Sequence, residues 1–295
     1  MLKQIALSLA ALAAVSATSV AAAQEEYTVQ QAMSDPENWR KIDPEDLVVM
    51  STTKGDIYIE IAPGFAPRHA EQIRRIVRSG LYSGTQFHRV IRGFMAQGGD
   101  IAKVLGREPN FEKLPGEFTF RRNVKTAALT PLDPEKSGAA EYSGYFKGFP
   151  VVTKQDAQAD FTIDGRVESY MPHCPGVVSM ARTNDPNSAV DQFFLMRETS
   201  DFLDKSYTSW GRMVKGLEVA RSLNVGEPPP RPDILVSATM GADYASRERP
   251  EIWVMRTDGP AFAQILKLAG EVDEICDAPI PPAVIKNQKH KPWDT

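Results

Sequence analysis

Cysteine and histidine are scarce in this chain: two and four in 295 residues. Cys174 and Cys276 stand too far apart for a zinc signature, and His69, His88, His173 and His290 show neither HxxxH nor CxxC spacing. No metal and no other cofactor is therefore expected. An excess of charge of one sign is also lacking, since 34 basic residues against 38 acidic ones leave a net charge of -4. That balance supplies no electrostatic footprint for nucleic acid. Beyond the N-terminus no apolar run approaches the roughly 20 residues of a membrane span. There is no GxSxG, no HExxH, no glycine loop that would cradle phosphate, and no cysteine close to a base. Covalent and metal catalysis are poorly supported on that count. What is present is ordinary for a globular protein: 42% hydrophobic and 24% charged residues, with 22 prolines and 20 glycines, which excludes collagen, coiled coil and a disulfide-stapled mini-protein.

The first 23 residues differ from the rest. A short basic start at Lys3 precedes an apolar run from Ile5 to Val15, and Ala21-Ala22-Ala23 ends it. This is the layout of a secretory signal peptide (1–23) cleaved before Gln24. An uncleaved anchor helix is the alternative, but the run is shorter than a span needs. No cysteine follows to take a lipid and no paired arginines precede it. The expectation is an exported, periplasmic protein with no membrane span after cleavage. An oxidising compartment permits disulfides. Cys174 and Cys276 are then either bridged, closing a loop of about a hundred residues worth ~4 to 5 kcal/mol in the chain-entropy model, or two separate thiols, one or both buried.

Residues 24–46 form a polar lead-in with Asp35-Pro36 and Asp43-Pro44, read as holding at most one helical turn. Leu47 to Thr52 and Asp56 to Ile61 are β-rich runs joined by a Thr53-Lys54-Gly55 hairpin signal. Pro67 opens a helix over Arg68 to Ser79, with Ala70, Ile73, Ile76 and Val77 on one face, and Gly80 stops it. Further strands are expected at Thr85 to Ile91, Met95 to Gly98, Val177 to Met180, Gln192 to Met196, Ser206 to Val214 and Ile234 to Met240, with a second helix at Gly216 to Leu223. Between about 101 and 172 the chain reads as an irregular insertion rich in glycine, proline and charge, too long for a structureless loop without a purpose. Residues 244–295 form a C-terminal extension, with a strand at Glu251 to Met255 and a helix at Ala261 to Leu268. Many short strands with two substantial helices suggest an antiparallel barrel.

The chemistry-bearing segments are FHRVIRGFMAQGGD (87–100), SMAR (179–182) and NSAVDQFF (187–194). At period two Phe87 and Arg89 share one strand face, as do Met95 and Gln97, so apolar and hydrogen-bonding groups stand side by side. Such a pocket, with one fixed cation and a few amides, suits an uncharged polar ligand such as a peptide. A half-buried strand whose arginine snorkels to solvent fits the same pattern. His88 faces away from Arg89 on a strand, which favours a structural role.

These segments, together with YTSWGRMVKG (207–216), occur in the order found in the cyclophilin family of peptidyl-prolyl cis/trans isomerases, which the chain resembles over 47–243. The resemblance implies a mainly β fold: a closed eight-stranded antiparallel barrel capped by two helices, with the site on an outer face. It implies Arg89 as the catalytic arginine, with Phe94 and Gln97 beside it. Phe94, Met95, Phe194 and Leu203 would line the proline pocket, Gln97 and Gln192 would contact the peptide backbone, and Ala181 and Arg182 would contact the residue before proline. Phe202 and Tyr207 stand where the best-known eukaryotic members have tryptophan and histidine, and Arg182 where they have asparagine, which implies retained isomerisation with weakened cyclosporin binding. The implied partners are proline-containing polypeptides. The alternative is a cyclophilin-like peptide-binding scaffold whose insertion and extension recruit a partner.

Overall fold

The computed structural model describes residues 27–287. The signal-peptide expectation for 1–23 lies outside the described residues. The lead-in is more ordered than its polarity suggests. Helix α1 (Val29–Ser34) starts at a capping box in which the Thr28 hydroxyl accepts from the Gln31 amide and the Gln31 side chain accepts from the Thr28 amide. Strand β1 (Trp39–Lys41) follows, and Ala32, Trp39 and Ile42 are buried. These side chains, with Tyr27 and Val29 packed beside them, help to seat an otherwise mostly polar segment.

The hairpin of β2 (Leu47–Thr52) and β3 (Gly55–Ile61) forms where expected, and α2 (Pro67–Arg78) follows it. Next come β4 (Arg89–Val90), β5 (Met95–Gly98) and the short helix α3 (Ile101–Leu105). The region expected to be irregular instead carries five strands: β6 (Phe120–Asn123), β7 (Thr130–Pro131), β8 (Glu141–Phe146), β9 (Phe149–Lys154) and β10 (Arg166–Tyr170). They form a sheet of order β6-β10-β9-β8-β7. Its central hairpin turns at Lys147 and Gly148, both at positive φ (51° and 84°), the backbone that a two-residue turn of matching twist requires. The chain then runs through β11 (Val177–Met180), β12 (Phe193–Met196), β13 (Ser209–Lys215), α4 (Leu217–Ser222) and β14 (Leu235–Met240). It ends with β15 (Glu251–Met255), α5 (Pro260–Ala269) and β16 (Ala283–Lys286). Strands β1, β15 and β16 pair into a third sheet, so the lead-in and the C-terminal extension share a ladder.

The main sheet has eight strands in the order β14-β2-β3-β13-β11-β12-β5-β4, and its recorded pairings are antiparallel. It is an open half-barrel, which corrects the closed barrel expected from the resemblance. Its edge strands, β4 and β14, are not paired with each other in the ladder; the chain beside them is joined by isolated bridges at Gln86 with Ile234 and Val90 with Gly226. The reason is in the chain: β4 is two residues long, and the segment leading to β14 carries Pro228, Pro229, Pro230 and Pro232, which have no amide to donate to a ladder.

Alternation along the strands gives this sheet two buried faces. One carries Ile57, Ile59, Ala96, Phe193 and Leu195 against Ala70, Ile73 and Ile76 of α2. The opposite face carries Met95, Phe194 and Met196, and a second apolar cluster joins them to Tyr145 and Phe149 of the insertion and Phe262 and Ile275 of the extension. Both appendages therefore pack on the side of the sheet that bears the candidate site residues. Cys174, just before β11, is bonded to Cys276 of the extension, 102 residues away.

Candidate active site

Antiparallel pairing of β4 with β5 sets Arg89 opposite Gln97, and pairing of β5 with β12 sets Gln97 opposite Phe194. Gln97 Nε2 donates to Gln192 Oε1 at 2.9 Å, so the two carboxamides form one polar edge. Met95, Phe194 and Leu203 are buried, and Phe94, Ala181 and Tyr207 pack against them half-exposed. The Phe202 ring is 71% exposed and tilts over Phe94 with centroids 5.6 Å apart. Tyr207 meets Phe194 edge-on at 5.7 Å, and the Arg182 guanidinium lies 4.3 Å above the Tyr207 ring. Arg89, Phe94, Met95, Gln97, Ala181, Arg182, Gln192, Phe194, Phe202, Leu203 and Tyr207 thus form one connected patch, drawn from five stretches of chain.

Arg89 is held by a residue that the sequence did not single out. Its Nε donates to Glu227 Oε2 at 2.7 Å, while Nη1 sits 4.0 Å from Met95 Sδ. The carboxylate takes the Nε side of the guanidinium, and Nη1 lies toward Met95. Glu227 is 138 residues away in a proline-rich turn, with no local signal to link the two. Phe118 of the insertion was missed for the same reason; its ring centroid is 6.0 Å from the Arg182 guanidinium.

Phe87 and Arg89 do not share a face. Phe87 is 1% exposed in the core under the sheet, whereas Arg89 stands at the surface, because regular alternation begins only at Arg89. Beside it His88 is half-buried, and that burial pushes its pKa below the ordinary histidine value against the opposing pull of Asp100. That burial favours the uncharged imidazole. Among the described residues no three histidine, cysteine or carboxylate side chains group as a metal would need. Nor is any described helix long and apolar enough to cross a membrane.

The model of the family described as cyclophilin type peptidyl-prolyl cis-trans isomerase/CLD matches residues 47–240, more than half of the chain. This chain belongs to that family. Its activity is accordingly peptidyl-prolyl cis-trans isomerisation. A probable peptidyl-prolyl cis-trans isomerase of Brucella abortus (strain 2308) is 34% identical over 206 residues, covering 68% of this chain and 85% of the relative. Peptidyl-prolyl cis-trans isomerase A of Dickeya dadantii is 29% identical over 205 residues, covering 65% and 82%. Among solved structures, the cyclophilin AquaCyp293 from Hirschia baltica is 59% identical with a TM-score of 0.86, covering 88% of this chain and 98% of that one. The isomerase family match ends before β15, whereas the likeness to the Hirschia baltica cyclophilin extends over most of the chain.

Proposed function

We propose that this isomerase acts on X-Pro bonds of exported proteins, with Arg89 as the transition-state hydrogen-bond donor of an apolar proline pocket. The cis and trans forms differ by only ~0.5 to 1 kcal/mol, but amide resonance sets a barrier of roughly 20 kcal/mol between them. Catalysis has to weaken the partial double bond without breaking any bond. As the amide twists, the prolyl nitrogen regains its lone pair and becomes an acceptor that the planar ground state does not offer. A donor aimed there acts mainly in the transition state, which is what raises turnover.

The observation that carries the reading is the arrangement around Arg89: Nε tied to Glu227, the rest of the fork beside Met95, and the Gln97–Gln192 pair one strand over. A guanidinium stays charged and keeps its donors in a rigid fork, so anchoring one edge aims the other. Phe94, Met95, Phe194 and Leu203 grip the pyrrolidine ring. Gln97, Gln192 and the main chain at Ala181 and Arg182 hold the preceding carbonyl, and rotation occurs between two fixed ends. An apolar wall also favours the less charge-separated twisted amide.

Replacing Arg89 tests this. Arg89→Ala is expected to lower kcat/KM for a proline peptide by at least about 10²-fold, the cost of one well-placed transition-state donor elsewhere, with an unchanged circular dichroism spectrum. Near-normal activity in the folded variant would remove the mechanism. The exported setting is supported by the N-terminal pattern and by the Cys174–Cys276 bond, which suits an oxidising compartment. N-terminal sequencing of protein recovered from the periplasmic fraction should begin at Gln24; a chain retained in the cytoplasm with Met1 intact would refute export.

A further inference from the structure

Arg182 differs from Arg89 in having no acidic partner. Its Nε donates to Ser206 O at 3.0 Å and its Nη1 to Thr183 O at 2.8 Å, both neutral carbonyls. Among the described residues no carboxylate lies within ion-pair distance and Nη2 has no partner. The guanidinium plane is nonetheless fixed, by those carbonyls and by the Tyr207 ring 4.3 Å away. An uncompensated cation is thus held rigid one ring contact away from Phe194.

The insertion completes this corner. Leu114 N donates to Ala189 O at 2.9 Å, Gly116 N to Asn187 Oδ1 at 3.2 Å and Glu117 N to Thr208 Oγ1 at 2.9 Å, which straps the segment across the main sheet beside the site. Phe118 then folds back so far that a Cβ on Gly116 would lie 2.1 Å from its ring tip. Glycine at 116 is what allows the ring to reach the guanidinium of Arg182.

From this we infer that Arg182, Tyr207 and Phe118 form a subsite for an acidic side chain at one of the two residues preceding the substrate proline. The inference rests on the proline pocket described under the proposed function. An extended chain advances about 3.3 to 3.6 Å per residue, so a proline over Phe194 leaves its two preceding residues within side-chain reach of the guanidinium. A carboxylate there takes the free Nη2 in a charge-assisted bond, which an amide makes more weakly and an ammonium not at all. The ring faces shield the pair from water on one side.

The test uses the mature, full-length protein and peptides alike except for Glu, Gln or Lys at each of those two positions. Exchange spectroscopy gives kcat/KM and fluorescence titration gives Kd. At low ionic strength the Glu peptide is expected to exceed the Gln peptide by about fivefold in both, as for a partly exposed ion pair, with Lys poorer than Gln. The advantage shrinks with added salt. Arg182→Gln should bring the Glu-to-Gln ratio to one, and Gly116→Ala, which displaces Phe118 while keeping Arg182, should reduce it. A wild-type ratio of one at both positions, or a ratio that survives in Arg182→Gln, overturns the subsite. The two readings separate cleanly: preferential binding of the Glu peptide without turnover of any peptide would sink the catalytic reading and keep the subsite, whereas fast turnover without preference would do the reverse.

Discussion

Arg89 and Arg182 stand at the same site with the same head group, and their partners give them different work. The Arg89–Glu227 pair is partly exposed, with side chains 39% and 54% accessible, so its contribution to stability is small. Its value is geometric: a carboxylate on Nε orients the fork. Glu227→Gln keeps an acceptor and removes the charge, and kcat/KM is expected to fall about threefold, mostly in kcat, with partial recovery in Glu227→Asp. Unfolding by urea should be unchanged within about 0.5 kcal/mol; an effect on stability alone would mean that Glu227 does not position Arg89. At this scale most of the residues that the fold gathers into one patch were legible, because they lie within short motifs whose order is distinctive, although Phe202 and Leu203 lie outside those motifs. Glu227 and Phe118 were not, since each meets its arginine only through folding.

Among the elements, β5, β11 and β15 occupy the ranges that apolar alternation and flanking turns indicate. The stretch from Thr85 to Ile91 does not, because a strand needs a partner as well as a pattern, and only Arg89 and Val90 find one in β5. The insertion misled in the opposite direction: its prolines, glycines and charges resemble loop composition, yet the β8–β9 hairpin pairs over six residues on each strand. Its strap into the site depends on Glu117, which accepts from the His69 ring at 2.7 Å and from the amides of Arg68 and His69. Burial pushes this carboxyl up, but the His69 ring and the two amides pull harder, and the net pKa lies below the ordinary 4.5. A folded-state value below the unfolded one stabilises fully above the unfolded value and is lost as pH falls through the folded one. Melting temperatures between pH 7 and pH 3 should therefore drop more steeply in the wild type than in Glu117→Gln. Parallel curves would count against the strap's ionised anchor.

Across the molecule, lead-in, main sheet and insertion converge on Glu60, which is 5% exposed. Arg40 of β1 donates to both of its oxygens, at 2.6 and 2.8 Å, and to the carbonyl of Lys147. Arg212 of β13 donates to Glu60 at 3.4 Å while lying over the Phe149 ring of β9. Burial lowers the Arg212 pKa to about 10, against the pull of Glu60. Removing the carboxylate would leave that guanidinium buried without its counter-charge, so Glu60→Gln is expected to cost about 3 to 5 kcal/mol in urea unfolding. A loss below about 1 kcal/mol would show that the Glu60 carboxylate contributes little to holding the three parts together. The Cys174–Cys276 bond ties the fourth part, the extension, to the entry of β11. By itself the sequence determined most of the main-sheet strands, the two helices on it and the family, because periodicity and motif order are properties of neighbouring residues. Only the tertiary structure decided that the sheet stays open, that the insertion is a sheet packed on the face bearing the site, and that Glu227 and Phe118 meet Arg89 and Arg182. Those outcomes depend on pairings between residues far apart in the chain, for which no local pattern exists.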